Sequence, residues 1–210
     1  MDTLVYYATH PNAIIYATAS ALLYPVLIAE IALLVFGVFE AGRFTVEMIG
    51  RWRKRSLSAL RESALAARTA LAEGRREDAI TALSAALKHA RYGRRFTQML
   101  GVDDFEQHHL IKLLSEVEGQ AARRLERTRM LIRFGPILGL MGTLIPISPA
   151  LVGLAQGDVQ TLSDNLVIAF STTVVGLLIG GIGYGISTVR ERVYTRDVND
   201  IEYALEIAEL

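Results

Sequence analysis

The chain has 210 residues, 51% of them hydrophobic, a mean hydropathy of +0.32, and 22 basic residues balanced by 22 acidic ones. Without cysteine it has no disulfide framework and no thiolate metal site, and with no P-loop, nucleophile elbow or HExxH motif no enzymatic chemistry is expected. Charge-free runs of about 20 residues, the length that crosses a hydrocarbon core of about 30 Å, point to a membrane rather than to one large soluble core.

In chain order, residues 1–15 precede a first apolar segment, 16–39, interrupted by Pro25 and Glu30. Nothing positive precedes that segment and it is too long for a signal-peptide core, so it reads as a retained span. Residues 40–133 read as helical. Leu57, Leu60, Ala64, Ala67 and Leu71 recur at three- and four-residue steps, and Gly74 is placed to cap that helix. A second helix is expected over 76–92, with Ile80, Leu83, Leu87 and Ala90 on one face and Gly93 and Gly101 as breaks. Its alanine-rich stretch faintly resembles one helix of a repeat hairpin, but no second copy recurs at a fixed period, and an amphipathic packing helix is the plainer reading. From Phe105 to Arg133 a leucine pattern continues without proline into a second apolar segment, 134–155; a short loop, 156–165, leads to a third, 166–189, and a tail, 190–210. The stretch from Arg43 to Arg61 is expected to carry the first span onward as helix. The fold class is therefore all-α, a polytopic membrane protein with three spans and long helices extending into a helical domain.

Charge sets the orientation. Nineteen of the Lys and Arg residues fall between Glu40 and Arg133 and the other three follow Val189. The positive-inside rule places residues 40–133 and the tail in the cytoplasm, and the N-terminus and the 156–165 loop outside. The basic run Arg51 to Arg55 beside a span reads as a topology determinant near anionic lipid, so no nucleic-acid partner is expected. Trp52, Tyr184, Tyr6, Tyr7, Tyr16 and Tyr24, near span ends, read as interfacial anchors. His89, His108 and His109 lack a partner at metal-ligand spacing and read as surface residues.

The last two segments form a hairpin with its own internal order. Gly135, Gly139, Gly142, Pro146, Pro149 and Gly153 alternate at steps of four and three, and so do Ala169, Thr173, Gly176, Gly180, Gly183 and Ser187. Such seams let helix backbones approach closely inside a bilayer, where packing replaces the hydrophobic effect. Gly139, Gly142, Gly176 and Gly180 are the central seam residues.

The stretch RFGPILGLMGTLIPISPAL, from Arg133 to Leu151, and NLVIAFSTTVVGLLIGG, from Asn165 to Gly181, resemble the MotA/TolQ/ExbB family of proton-channel proteins, in the three-span TolQ/ExbB-like layout. The resemblance implies a pentameric ring of this chain, as a homo-oligomer, around two copies of a single-span partner of the ExbD/TolR/MotB type bearing an intramembrane Asp. Proton flow would drive movement of that partner, with lipid as the other neighbour and no cofactor, at the cytoplasmic (inner) membrane.

The resemblance carries the family's pore threonines onto Thr143, in GLMGT, and Thr173, ahead of Gly176-Leu177. Independently, a hydroxyl in a span can hold water or a protonated carboxylate, although a transmembrane Thr often bonds back to its own helix. Thr172 points elsewhere at about 100° per residue and ranks below Thr173. Where some members have an acidic residue before the last-span threonine this chain has Ile168, with Asp164 a turn earlier, so the proton-binding carboxylate is expected from the partner. Glu30, too deep to reach the surface easily, has two readings: a structural group bonded to a neighbouring helix, or a place in the ion path. Pro146 and Pro149 read either as a static kink or as a flexible outer gate. The rival to a motor subunit is a non-conducting membrane scaffold that binds cytoplasmic partners.

Overall fold

The computed structural model describes residues 11–49, 57–88, 90–100 and 106–209, and these are helical with no strand among them. The helices are α1 (Pro11–Ala21), α2 (Leu23–Ile49), α3 (Leu57–Ala72), α4 (Arg76–Leu87), α5 (Arg91–Met99), α6 (Gln107–Ala155) and α7 (Val159–Ala208). They fall into two compact units, one of residues up to Gly42 with Thr128–Ile186, the other of Arg43–Arg127 with Ser187–Leu210. The expectations placed on Tyr6, Tyr7, the Arg51 to Arg55 run with Trp52, His89 and Gly101 lie outside the described residues.

The first unit holds three stretches long and apolar enough to cross a membrane, within Ala17–Ile49, Gln107–Ala155 and Val159–Ala208. The first of these is broken at Leu22, between α1 and α2. Pro25 accounts for the break, because it has no N–H for the Ala21 carbonyl and its ring crowds that same group. By contrast α6 stays helical through Pro136, Pro146 and Pro149. Ile31, Val35, Leu140, Leu144, Phe170, Val174 and Leu177 are all exposed in the single chain. So large an apolar surface suits hydrocarbon or neighbouring helices, not water.

The hairpin turn is much shorter than the ten-residue loop the sequence suggests. Helix α6 ends at Ala155 and α7 starts at Val159, so residues 159–165 are the first turns of α7. Gly157 at φ +78° closes α6: its N–H donates to the Leu154 carbonyl, and the Asp158 N–H donates to the Gly153 carbonyl at 2.8 Å. Asp158 then opens α7, accepting from the Thr161 hydroxyl at 2.5 Å and the Thr161 N–H at 3.1 Å. Those bonds, the hydroxyl's first, hold the Asp158 carboxyl below its usual range.

The second unit has the soluble-type core. Leu60, Ala64 and Ala67 of α3 meet Leu83 and Leu87 of α4, Phe96 of α5, Val117 and Leu125 of α6, and Tyr194, Ile201 and Leu205 of α7. Gly74 at φ +74° ends α3 through N–H donation from Gly74 to the Leu71 carbonyl and from Arg75 to that of Ala70. Two boundaries differ from the sequence reading. Helix α4 stops at Leu87, and Gly93 lies inside α5 rather than breaking a helix. A Cβ at Gly93 would sit 2.8 Å from the Leu87 Cβ and 2.9 Å from its carbonyl oxygen, so glycine there allows α5 to close onto the end of α4. Residues 190–208 are not a loose tail but the end of α7, with Tyr194, Ile201, Ala204 and Leu205 in the core.

Candidate functional site in the glycine seam

Glycine lets α6 and α7 touch backbone to backbone. A Cβ at Gly176 would lie 2.6 Å from the Gly135 carbonyl oxygen and 2.8 Å from the Gly139 Cα; one at Gly139 would meet the Gly176 Cα at 3.2 Å. Toward the other end of the pair, Gly180 receives the Pro136 ring, 3.1 Å from where a Cβ would stand, and Gly183 receives Leu131. The hairpin thus brings Gly139, Gly142, Gly176 and Gly180 into one seam. Contacts this close give dispersion attraction where no water is present to drive burial.

The three threonines occupy different positions around that seam. Thr172 is buried, 5% exposed, and fills the space beside Gly142, where a Cβ would lie 2.6 Å from the Thr172 Cβ. Thr143 and Thr173 are half-buried at the edge. All three hydroxyls donate to their own helix: Thr143 to Leu140 at 2.7 Å, and Thr172 and Thr173 both to Ala169, at 2.9 and 3.2 Å. The hydroxyl oxygens keep acceptor capacity, and a rotation about χ1 exchanges the internal bond for an outside partner. Ile168 is half-buried on the same helix, and Asp164 is exposed and accepts from Gln160 at 2.9 Å.

Glu30 joins this group from α2. It is 3% exposed, its carboxyl lies against the backbone N–H of Gly176, and its Oε1 has no hydrogen-bond partner among the described residues. The sequence shows that Glu30 is deep. Only the packing shows that it points at the α7 glycine where the hairpin is tightest.

A polar cluster in the second unit was not foreseen. Glu47 of α2 is almost fully buried and accepts from the Tyr194 hydroxyl at 3.0 Å. Its carboxylate also pairs with Arg91 at 3.3 Å, Arg190 at 3.4 Å and Arg124 at 3.7 Å. Arg190 is 2% exposed and lies over the Phe44 ring. Asp197 accepts from the backbone N–H of Arg91 and Tyr92, so α7 caps the start of α5. The one signal in the sequence was the spacing of Ile186, Arg190, Tyr194, Asp197 and Ile201, a single helical stripe in which charged and apolar residues alternate.

Three membrane-crossing helices and a glycine-packed hairpin define a multi-pass, all-α membrane protein. The model of the MotA/TolQ/ExbB proton channel family matches residues 83–203, and the chain belongs to that family. Membership supports a proton-channel role; the family is one of channels, not a known class of enzymes. No curated protein and no solved structure matches the chain.

Proposed function

We propose that this chain is the ring-forming subunit of a proton-conducting motor, in which several copies, five by family resemblance, surround a single-span partner that carries an intramembrane carboxyl. The supporting observation is the family match, which spans both hairpin helices. In this reading the membrane is the cytoplasmic one, residues 40–133 and the C-terminus face the cytoplasm, and the N-terminus and the hairpin turn face outward. The partner's carboxyl takes a proton from the outer side, passes Thr143 and Thr173, and releases it inward. A potential of 100 mV supplies about 2.3 kcal/mol per charge moved, enough to bias stepwise motion.

Thr143 and Thr173 suit the path because they sit at the edge of the intrachain seam, where a neighbouring helix can reach them. Thr172 is committed to packing against Gly142 and serves by holding Thr173 in register. Glu30 is proposed as a polar station behind the path, since a buried ionisable group in a span is costly and needs a task.

The experiment is to purify the complex gently from its own host's membranes, weigh it intact, identify every chain, and measure proton leak after reconstitution. Five copies with a single-span partner, and a leak abolished by Thr173→Val, are expected. A homo-oligomer with only soluble companions and no leak would instead establish the scaffold, a reading favoured by the inward bonding of all three hydroxyls. Glu30→Gln is expected to lower coupled transport; unchanged transport removes Glu30 from the path.

A further inference from the structure

The second unit contains a cavity of about 400 Å³ whose walls are mainly cationic, with Gln120 among the lining residues. Five arginines line it, Arg91 and Arg95 from α5 and Arg123, Arg124 and Arg127 from α6, together with Tyr92. On α6, Arg123 and Arg127, four residues apart, share the face opposite Val117, Ala121 and Leu125 in the core, and Arg124 stands between that face and the core. Like charges four apart on a helix, as in Arg91 with Arg95 and Arg123 with Arg127, destabilise it unless a counter-charge is near.

The described residues supply little of that counter-charge. Glu47 is shared among Arg91, Arg124 and Arg190, and Glu116 pairs with Arg123 at 3.2 Å. Arg95 and Arg127 pair with no carboxylate among the described residues. Tyr92, 2% exposed, closes the wall from the core side.

We propose that this arginine-lined cavity binds a phosphate-bearing anion, with Arg95 and Arg127 as its direct ligands. Guanidinium forks match phosphate oxygens in pairs. Setting membrane topology requires only that basic residues be present; it does not require five of them to converge on one cavity. The phosphate has two possible sources, the headgroup of an anionic phospholipid or a soluble phosphate compound. Arg127 precedes the apolar segment that starts at Phe134 by only seven residues, which keeps the lipid source within reach.

The test uses the full-length protein as it assembles, in two arms. In detergent, pyrophosphate is titrated by calorimetry against chloride at matched ionic strength. In nanodiscs of phosphatidylcholine, alone or with about one fifth phosphatidylglycerol, retained lipid is counted by native mass spectrometry. Binding in the first arm identifies a soluble ligand, and binding only in the second a lipid headgroup. In whichever arm binds, Arg95→Gln with Arg127→Gln is expected to weaken binding at least about tenfold, while Arg61→Gln with Arg94→Gln, equal in charge but away from the cavity, changes it less than about twofold. Absence of binding in both arms, or equal losses in the two double variants, would overturn the proposal.

Discussion

At Gly176 the nearest neighbours are backbone atoms of the facing helix, which cannot rotate aside. Gly176→Ala must therefore push α6 and α7 apart, and overpacking of this kind costs about 1–3 kcal/mol. A lower melting temperature in detergent is the expected outcome. Gly181, five residues on, has nothing within 4 Å, so Gly181→Ala should leave the melt unchanged or raise it slightly through helix propensity. The seam positions were legible as a three- and four-residue rhythm. The difference between Gly176 and Gly181 was less so, because a helical wheel does not measure how closely a neighbour stands. The same limit applies to Thr172 and Thr173: their directions follow from helix geometry, but which of them is wedged against Gly142 is a property of the pair of helices. Tyr92 gives a second test at this scale. Burial, and then the neighbouring Tyr194, push its hydroxyl well above the usual tyrosine range. An unfolded tyrosine ionises near pH 10 while the folded one keeps its proton, so this contribution is complete below about pH 10 and is lost as pH rises further. Melting temperatures measured between pH 8 and 11.5 should show a fall above about pH 10 that Tyr92→Phe reduces.

Among the elements, α7 departs most from its sequence reading. Its apolar half was evident from hydropathy, while residues 190–208 read as a tail, because five acidic and three basic residues hide the apolar stripe. The stripe lies in the core of the second unit, and Arg190 and Tyr194 at its head bond to Glu47. Glu47 thereby connects α2, α5, α6 and α7. Removing one member of a buried ion cluster leaves the others uncompensated, typically at a cost of about 3–5 kcal/mol. Glu47→Ala is expected to lower the denaturation midpoint strongly. Glu47→Ala combined with Arg190→Met should recover part of the loss, and a double variant as unstable as the single one would show that the remaining arginines, not Arg190, carry the penalty. Nothing in sequence spacing relates residue 47 to residue 190, so only the folded chain could reveal this cluster.

For the whole molecule, the absence of cysteine makes the topology directly measurable. Single substitutions at Gln156→Cys, in the hairpin turn, and at Thr81→Cys, on the exposed face of α4, leave packing intact. A membrane-impermeant thiol reagent added to intact cells is expected to label the first and not the second; the reverse pattern would invert the proposed orientation. Class, spans and family were determined by the sequence itself, since an uninterrupted apolar run, a one-sided charge distribution and a glycine rhythm are local or compositional, and each carries its physical meaning wherever the chain goes. Tertiary structure alone decided which glycines touch, that Glu30 abuts Gly176, that residues 190–208 belong to a core, and that five arginines line one cavity. These depend on distances between residues far apart in the chain, and such distances are set by the packing of whole helices.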